Sequence, residues 1–318
     1  MSSRLAADRR PSLYEATFRS LQAAPKELPT VWLYDERGSR LYEEITRLPE
    51  YYLPRREREI LRARSSAIAT RTQARTLVEL GAGSATNTPF LLEALAGRGT
   101  LERFVPLDVS EEVLRASAQA IAATYPQILV EPIVGDFERD LDALPGGGRR
   151  LIALLGSTVG NLRTGQRSAF LRTLASDLAE DDAFLVGADL VKDVARLQAA
   201  YNDAGGVTEA FVRNALDAVN GELDATFDQG RFAYEARWDP EHEWMDIGLR
   251  ARQAHSVSIP GLELEVSFAE GEPLRVEVSS KFRRAQLETE LSRAGLHVES
   301  WWTDRGGDFA VALAFPVT

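Results

Sequence analysis

Residues 76–88 read TLVELGAGSATNT, and this stretch decides the fold. A short apolar run, TLVEL, is followed by two glycines two positions apart, and the segment behind them has helix length. Gly81 and Gly83 allow a tight turn and a close approach of backbone to ligand, and the helix N-terminus that follows favours polar or anionic groups. The pattern departs from the dinucleotide fingerprint, because Thr86 stands where a third glycine is required. A nicotinamide dehydrogenase is therefore a distant alternative.

Working outward, the same rhythm of strand, turn and helix continues through RFVPLDVS (103–110), LVEPIVGDF (129–137), RLIALLGS (150–157) and AFLVGADL (183–190). Short apolar runs separated by helix-length segments predict a doubly wound α/β domain, its parallel strands buried on both faces. LHVESWW (296–302) and DFAVALAF (308–315), separated by TDRGGD, predict an antiparallel hairpin added to that sheet. Residues 193–281 break the rhythm with a helical section and then alternating strands, FAYEARWDP, EWMDIGLRARQ, LELEVSFAEG and LRVEVSSKF. An interruption of this length is a domain of its own. The expected division is residues 1–57 and 193–281 as an α+β substrate domain, with 58–192 and 282–318 as the sheet domain. The N-terminal segment is expected to give the inserted strands a helical partner.

The 318 residues carry a formal charge of −11 and a pI near 5.0, which argues against nucleic acid as the main partner, although a local basic patch remains compatible with it. No cysteine is present, and His242, His255 and His297 are scattered, so no metal site is expected. The N-terminus has no apolar core of signal-peptide length, and runs such as LIALLG are too short to span a bilayer. A cytoplasmic monomer acting on a small molecule is the expectation.

Two acidic residues extend the site. Asp108 ends the second strand, 108 − 83 = 25 residues after Gly83, where a carboxylate accepts hydrogen bonds from ribose hydroxyls. Asp136 ends the third strand in GDF, placed to accept from an adenine amino group, with Phe137 beside the ring. Together with the glycine loop they predict a nucleoside site. A second cluster lies in YDERGSRLYEEITRLPEYYLPRRE (34–57), where Leu41, Ile45 and Leu48 predict a short amphipathic helix stopped by Pro49. That helix does not account for Tyr34, Tyr51 and Tyr52 just outside it. Such rings either fill gaps or enclose a small polar molecule.

The loop, the two aspartates and the terminal hairpin resemble the Rossmann-like class I S-adenosylmethionine-dependent methyltransferases. More specifically, WLYDERGSRLYEEITRLPEYY, VELGAGSATNT, LGSTVGNL, DLVKDVARLQAAYND and VEVSSKFR are similar, in order and over nearly the whole chain, to the histidine-specific Nα-methyltransferases of ergothioneine biosynthesis. The resemblance implies S-adenosylmethionine as cofactor, L-histidine as substrate and trimethylhistidine (hercynine) as product. It also implies a substrate held between two domains, with tyrosines lining its chamber.

Carried over by residue, the resemblance places Tyr51, Asn161 and Tyr201 on the amino and carboxylate groups, and Glu277 and Ser279 on the imidazole. Gly81, Gly83, Asn87, Asp108, Asp136 and Phe137 would hold the cofactor, and Tyr34 is the candidate catalytic residue that contacts the amine. Glu277 and Ser279 are two apart and so share a strand face, while Val276 and Val278 supply the apolar one. The plain alternative is an edge strand with Arg275, Glu277 and Ser279 solvated. Asn87 stands where well-known members carry a lysine, and Ile247 where some carry a methionine in the side-chain pocket. Two other readings are a methyltransferase for a tryptophan derivative or similar aromatic amino acid, and a catalytically silent cofactor-binding or scaffold protein.

Overall fold

The computed structural model describes the backbone of residues Ser3–Val317 and the side chains from Ser12 onward. It divides into two compact units at Tyr51/Tyr52, Lys192/Asp193 and Ser279/Ser280. Residues 52–57 go with the sheet unit because the helix Leu53–Thr72, with Pro54 in its first turn, begins there.

The sheet unit is built on strands in the order Leu296–Thr303, Phe309–Pro316, Ala183–Asp189, Arg150–Leu154, Thr76–Leu80, Arg103–Asp108 and Leu129–Val130. Neighbours from Ala183–Asp189 to Leu129–Val130 are parallel, and Phe309–Pro316 runs antiparallel on both sides. Every residue of Thr76–Leu80, Arg150–Leu154 and Ala183–Asp189 is buried, as apolar runs covered by helices on both faces must be. The expected third strand is split. Pro132 separates Leu129–Val130 from Ile133–Val134, each paired with a different end of Arg103–Asp108, because proline cannot donate to the ladder. PGGGRR makes the expected turn: Gly147, Gly148 and Arg149 have positive φ, and the strand starts at Arg150.

The other unit holds a sheet in the order Lys26–Glu27, Pro273–Ser280, Trp244–Ala251 and Phe232–Asp239. LELEVSFAEG does not join it. Leu264–Phe268 pairs with His255–Ile259, a strand the sequence reading missed, in a separate hairpin. The helical partners of the sheet are the insertion's own Val194–Tyr201 and Val207–Leu223 and, against Lys26–Glu27, the N-terminal helix Ser3–Leu21, while the N-terminal helix Glu36–Ile45 packs on Val207–Leu223. Asp35 caps Glu36–Ile45 through the Gly38 N–H at 2.7 Å. This helix ends at Ile45, short of Leu48 and Pro49. Among the described residues, no helix is long and apolar enough to cross a membrane.

Candidate active site

In the sheet unit the glycine loop is pinned to the neighbouring strand, since the N–H groups of Gly81 and Ala82 both donate to Leu107 O, at 2.8 and 3.1 Å. Gly81 and Gly83 have φ of +67° and +48°, the left-handed region that favours glycine. A Cβ on Gly83 would meet nothing within 4 Å, so the loop offers open backbone there. A Cβ on Gly81 would lie 3.7 Å from Thr158 and 3.9 Å from Phe137, so segments that follow three different strands of the sheet meet at this turn.

Asp108 is half-buried at its strand end. Its carboxylate accepts from Gly83 N and Ser110 N, each at 2.8 Å, and burial pushes its pKa up against those bonds. Asp136 and Phe137 lie beyond Ile133–Val134, both half-buried, with the Phe137 ring edge-on to Phe170 at 5.6 Å. Open glycines beside an anchored carboxylate and an aromatic ring fit a nucleoside with an aminoacyl tail. Asn87 is turned inward: its amide donates to Glu57 Oε2 (2.9 Å) and Pro54 O (3.3 Å) and accepts from Arg58 Nε (3.3 Å).

Behind the loop lie two buried carboxyls. Glu79 accepts from Thr88 Oγ1 at 2.6 Å, and burial, with Glu57 and Asp108 nearby, pushes its pKa up to about 8. Burial likewise raises Glu57 to about 6, relieved by bonds from Asn87 and from Gly156 N at 2.7 Å. Because Glu79 binds its proton more tightly folded than unfolded, its stabilising contribution is full below the ordinary value of 4.5 and is lost as pH rises through about 8. Stability to unfolding should therefore fall by about 2 kcal/mol between about pH 6 and pH 8 through this group, and Glu79→Gln should remove that slope. Denaturant melts of both proteins across the range check this; parallel slopes would refute it.

The other unit holds Tyr34, Tyr51 and Tyr201. Tyr51 and Tyr201 are buried and meet edge to face at 5.9 Å. Tyr201 closes the helix Val194–Tyr201, and its hydroxyl shares a hydrogen bond with Ser279 Oγ at 2.8 Å. Tyr234 donates to the Tyr201 carbonyl. Burial, then the nearby Tyr42, Tyr201 and Glu277, hold the Tyr51 phenol well above its usual pKa, so it stays a neutral donor. Tyr34 is half-buried and packs edge-on to Tyr42 (5.8 Å) and Phe211 (5.6 Å).

The strand Pro273–Ser280 is no solvated edge. Ser279 is buried, and Arg275 pairs with Asp246 and Glu27. Ile247 is buried in Trp244–Ala251, in register with Ala236. Tyr51, Tyr201, Glu277 and Ser279 are thus near neighbours in one unit. Asn161 ends the short 3-10 helix Thr158–Asn161 in the other, half-buried.

The model of the histidine-specific, S-adenosylmethionine-dependent methyltransferases matches residues 13–316. The chain belongs to this family. It is 49% identical over 303 residues to the histidine N-alpha-methyltransferase of Mycobacterium tuberculosis, covering 95% of this chain and 94% of that one. To the protein of that name from Mycolicibacterium smegmatis it is 50% identical over 294 residues, 92% of either chain. Ergothioneine biosynthesis protein 1 of Neurospora crassa is 30% identical over 295 residues, 91% of this chain and 33% of that one. The sheet, with its reversed last strand, is that of a class I methyltransferase, and the family's cofactor is S-adenosylmethionine.

Sequence reasoning missed Glu57, Glu79, Tyr42, Tyr234 and the buried Asp189 and Lys281. A signal existed for two of them, since Glu79 in TLVEL and Asp189 in AFLVGAD are lone charges in otherwise apolar strands.

Proposed function

We propose that this protein transfers three methyl groups in succession from S-adenosylmethionine to the α-amino group of L-histidine, giving hercynine, a step of ergothioneine biosynthesis. The observation that carries the reading is identity near one half, over almost the entire chain, to two histidine N-alpha-methyltransferases. The clustering of Tyr51, Tyr201, Glu277 and Ser279 supports it.

When bound, the cofactor supplies an electrophilic methyl on a sulfonium, so the protein needs alignment more than charge stabilisation. Gly81, Gly83, Asp108, Asp136 and Phe137 hold the cofactor. Asn87 acts from behind, tying the loop to the helix Leu53–Thr72. Glu277 and Ser279 take the two imidazole nitrogens, Ile247 lines that pocket, and Tyr51, Asn161 and Tyr201 hold the amino and carboxylate groups. An α-ammonium of pKa about 8 must lose its proton before each transfer. Tyr34 contacts the amine and passes that proton to water, while Tyr51, kept neutral by burial, donates without competing as a base. Transfer stops at three because a quaternary nitrogen has no lone pair.

Incubation with histidine and S-adenosylmethionine, followed by mass spectrometry, should give mono-, di- and finally trimethylhistidine with every methyl on the α-nitrogen. Methyl on the imidazole instead would sink the assignment.

A further inference from the structure

At the carboxyl end of Ala183–Asp189 lies a buried ionic cluster that the proposed reaction does not use. The Asp189 carboxylate is fully buried. It accepts from Tyr52 Oη at 2.9 and 3.0 Å, from Lys281 Nζ at 2.9 Å and from Lys192 Nζ. Lys192 also donates to Tyr52 Oη at 2.7 Å and lies 4.5 Å from the centre of that ring. The backbone is tied in as well: Asp189 N donates to Ser157 Oγ (2.9 Å), and Asp189 O accepts from Phe282 N (2.8 Å).

The members stand at the places where the chain passes from one unit to the other. Tyr52 follows Tyr51, Lys192 precedes Asp193, and Lys281 lies just past the Ser279/Ser280 division. Gly160, beside Asn161, is pressed so closely to this segment that an added Cβ would lie 2.8 Å from Ser280 O. Tyr51, Ser279 and Asn161 therefore each lie within two residues of a group held by the cluster or packed on the segment it holds.

We infer that Asp189 is a positioning residue for the amino-acid substrate: by clamping Tyr52, Lys192 and Lys281 at once, it sets the backbone from which Tyr51, Ser279 and Asn161 project. The inference rests on the proposed role of those three residues. A buried carboxylate shared by two ammonium groups and a phenol is a poor source of net stability, because desolvation offsets most of the attraction. Its use is geometric, in the way a supporting shell fixes the groups that touch a ligand.

The test is calorimetric binding of histidine and, separately, of S-adenosylhomocysteine to Tyr52→Phe and Asp189→Asn. Tyr52→Phe keeps the ring over Lys192 and removes the hydroxyl alone. We expect it to weaken histidine binding about tenfold, and Asp189→Asn more, with cofactor-product affinity unchanged within about twofold, since misplacement of a contact by about 1 Å has effects of this size or larger. Equal loss of both ligands, or histidine affinity at the wild-type level in Tyr52→Phe, would overturn the inference. If Asp189→Asn does not fold, Tyr52→Phe decides alone. A wild-type protein that binds no histidine sinks both this inference and the proposed substrate; binding retained equally by wild type and variants sinks the inference alone.

Discussion

Glu277→Ala should lower kcat/KM for histidine by about one to two orders of magnitude while activity on tryptophan or phenylalanine stays the same or rises. A carboxylate accepting an imidazole N–H away from bulk water makes a charge-assisted hydrogen bond, typically about 1.5–3 kcal/mol. Glu277 is half-buried and within electrostatic reach of the buried Tyr51, so its charge acts in a poorly solvated setting. An indole or phenyl ring leaves that carboxylate unmatched, and the penalty excludes it. Tyr51→Phe and Asn161→Ala, acting on groups common to all amino acids, should reduce every substrate alike. Steady-state kinetics on histidine and tryptophan separate the cases; an equal loss on both would mean that Glu277 acts through the fold and not on the imidazole.

The second large effect is on the cofactor. Asp108→Ala should weaken S-adenosylmethionine binding by about one to two orders of magnitude, because the ribose loses a charged acceptor whose removal costs about 1.5–3 kcal/mol. The same substitution frees Gly83 N and Ser110 N, which Asp108 holds at 2.8 Å, so the loop loses its anchor as well as its charge. Asp108→Asn, which keeps an acceptor oxygen, should fall between wild type and Asp108→Ala. Histidine affinity, measured alone by calorimetry, should change little in either. Matching losses for both ligands would remove Asp108 from the ribose.

What was legible in the sequence follows from periodicity. The strands of the sheet unit read clearly because each is a continuous apolar run, and buried parallel strands admit little else. The third failed at Pro132, where strand propensity on both sides hid a residue unable to pair. His255–Ile259 was missed although HSVSI alternates, its serines exposed while Val257 and Ile259 are buried, because five residues with only two apolar side chains give a weak periodic signal. Of the candidate site, the glycine loop and Asp108 were readable from spacing alone. Tyr51, Tyr201, Glu277 and Ser279 were not: they lie far apart in the chain, and only the resemblance grouped them before the folded unit set Tyr51 on Tyr201 and Tyr201 on Ser279. The inward turn of Asn87 depends on Glu57, 30 residues earlier in the chain, and no local pattern carries it.

The order of strands also bears on how the chain is made. Phe309–Pro316 lies between Ala183–Asp189 and Leu296–Thr303, so an inner strand of the sheet leaves the ribosome after all its other strands. Until then the inner edge of Ala183–Asp189, all of it buried in the finished protein, is an unpaired apolar template. Meanwhile the whole insertion has been synthesised and can join the N-terminal segment. Nascent chains stalled before residue 309 should therefore carry one unit able to fold and one with an open edge, the form most exposed to aggregation and to capture by chaperones.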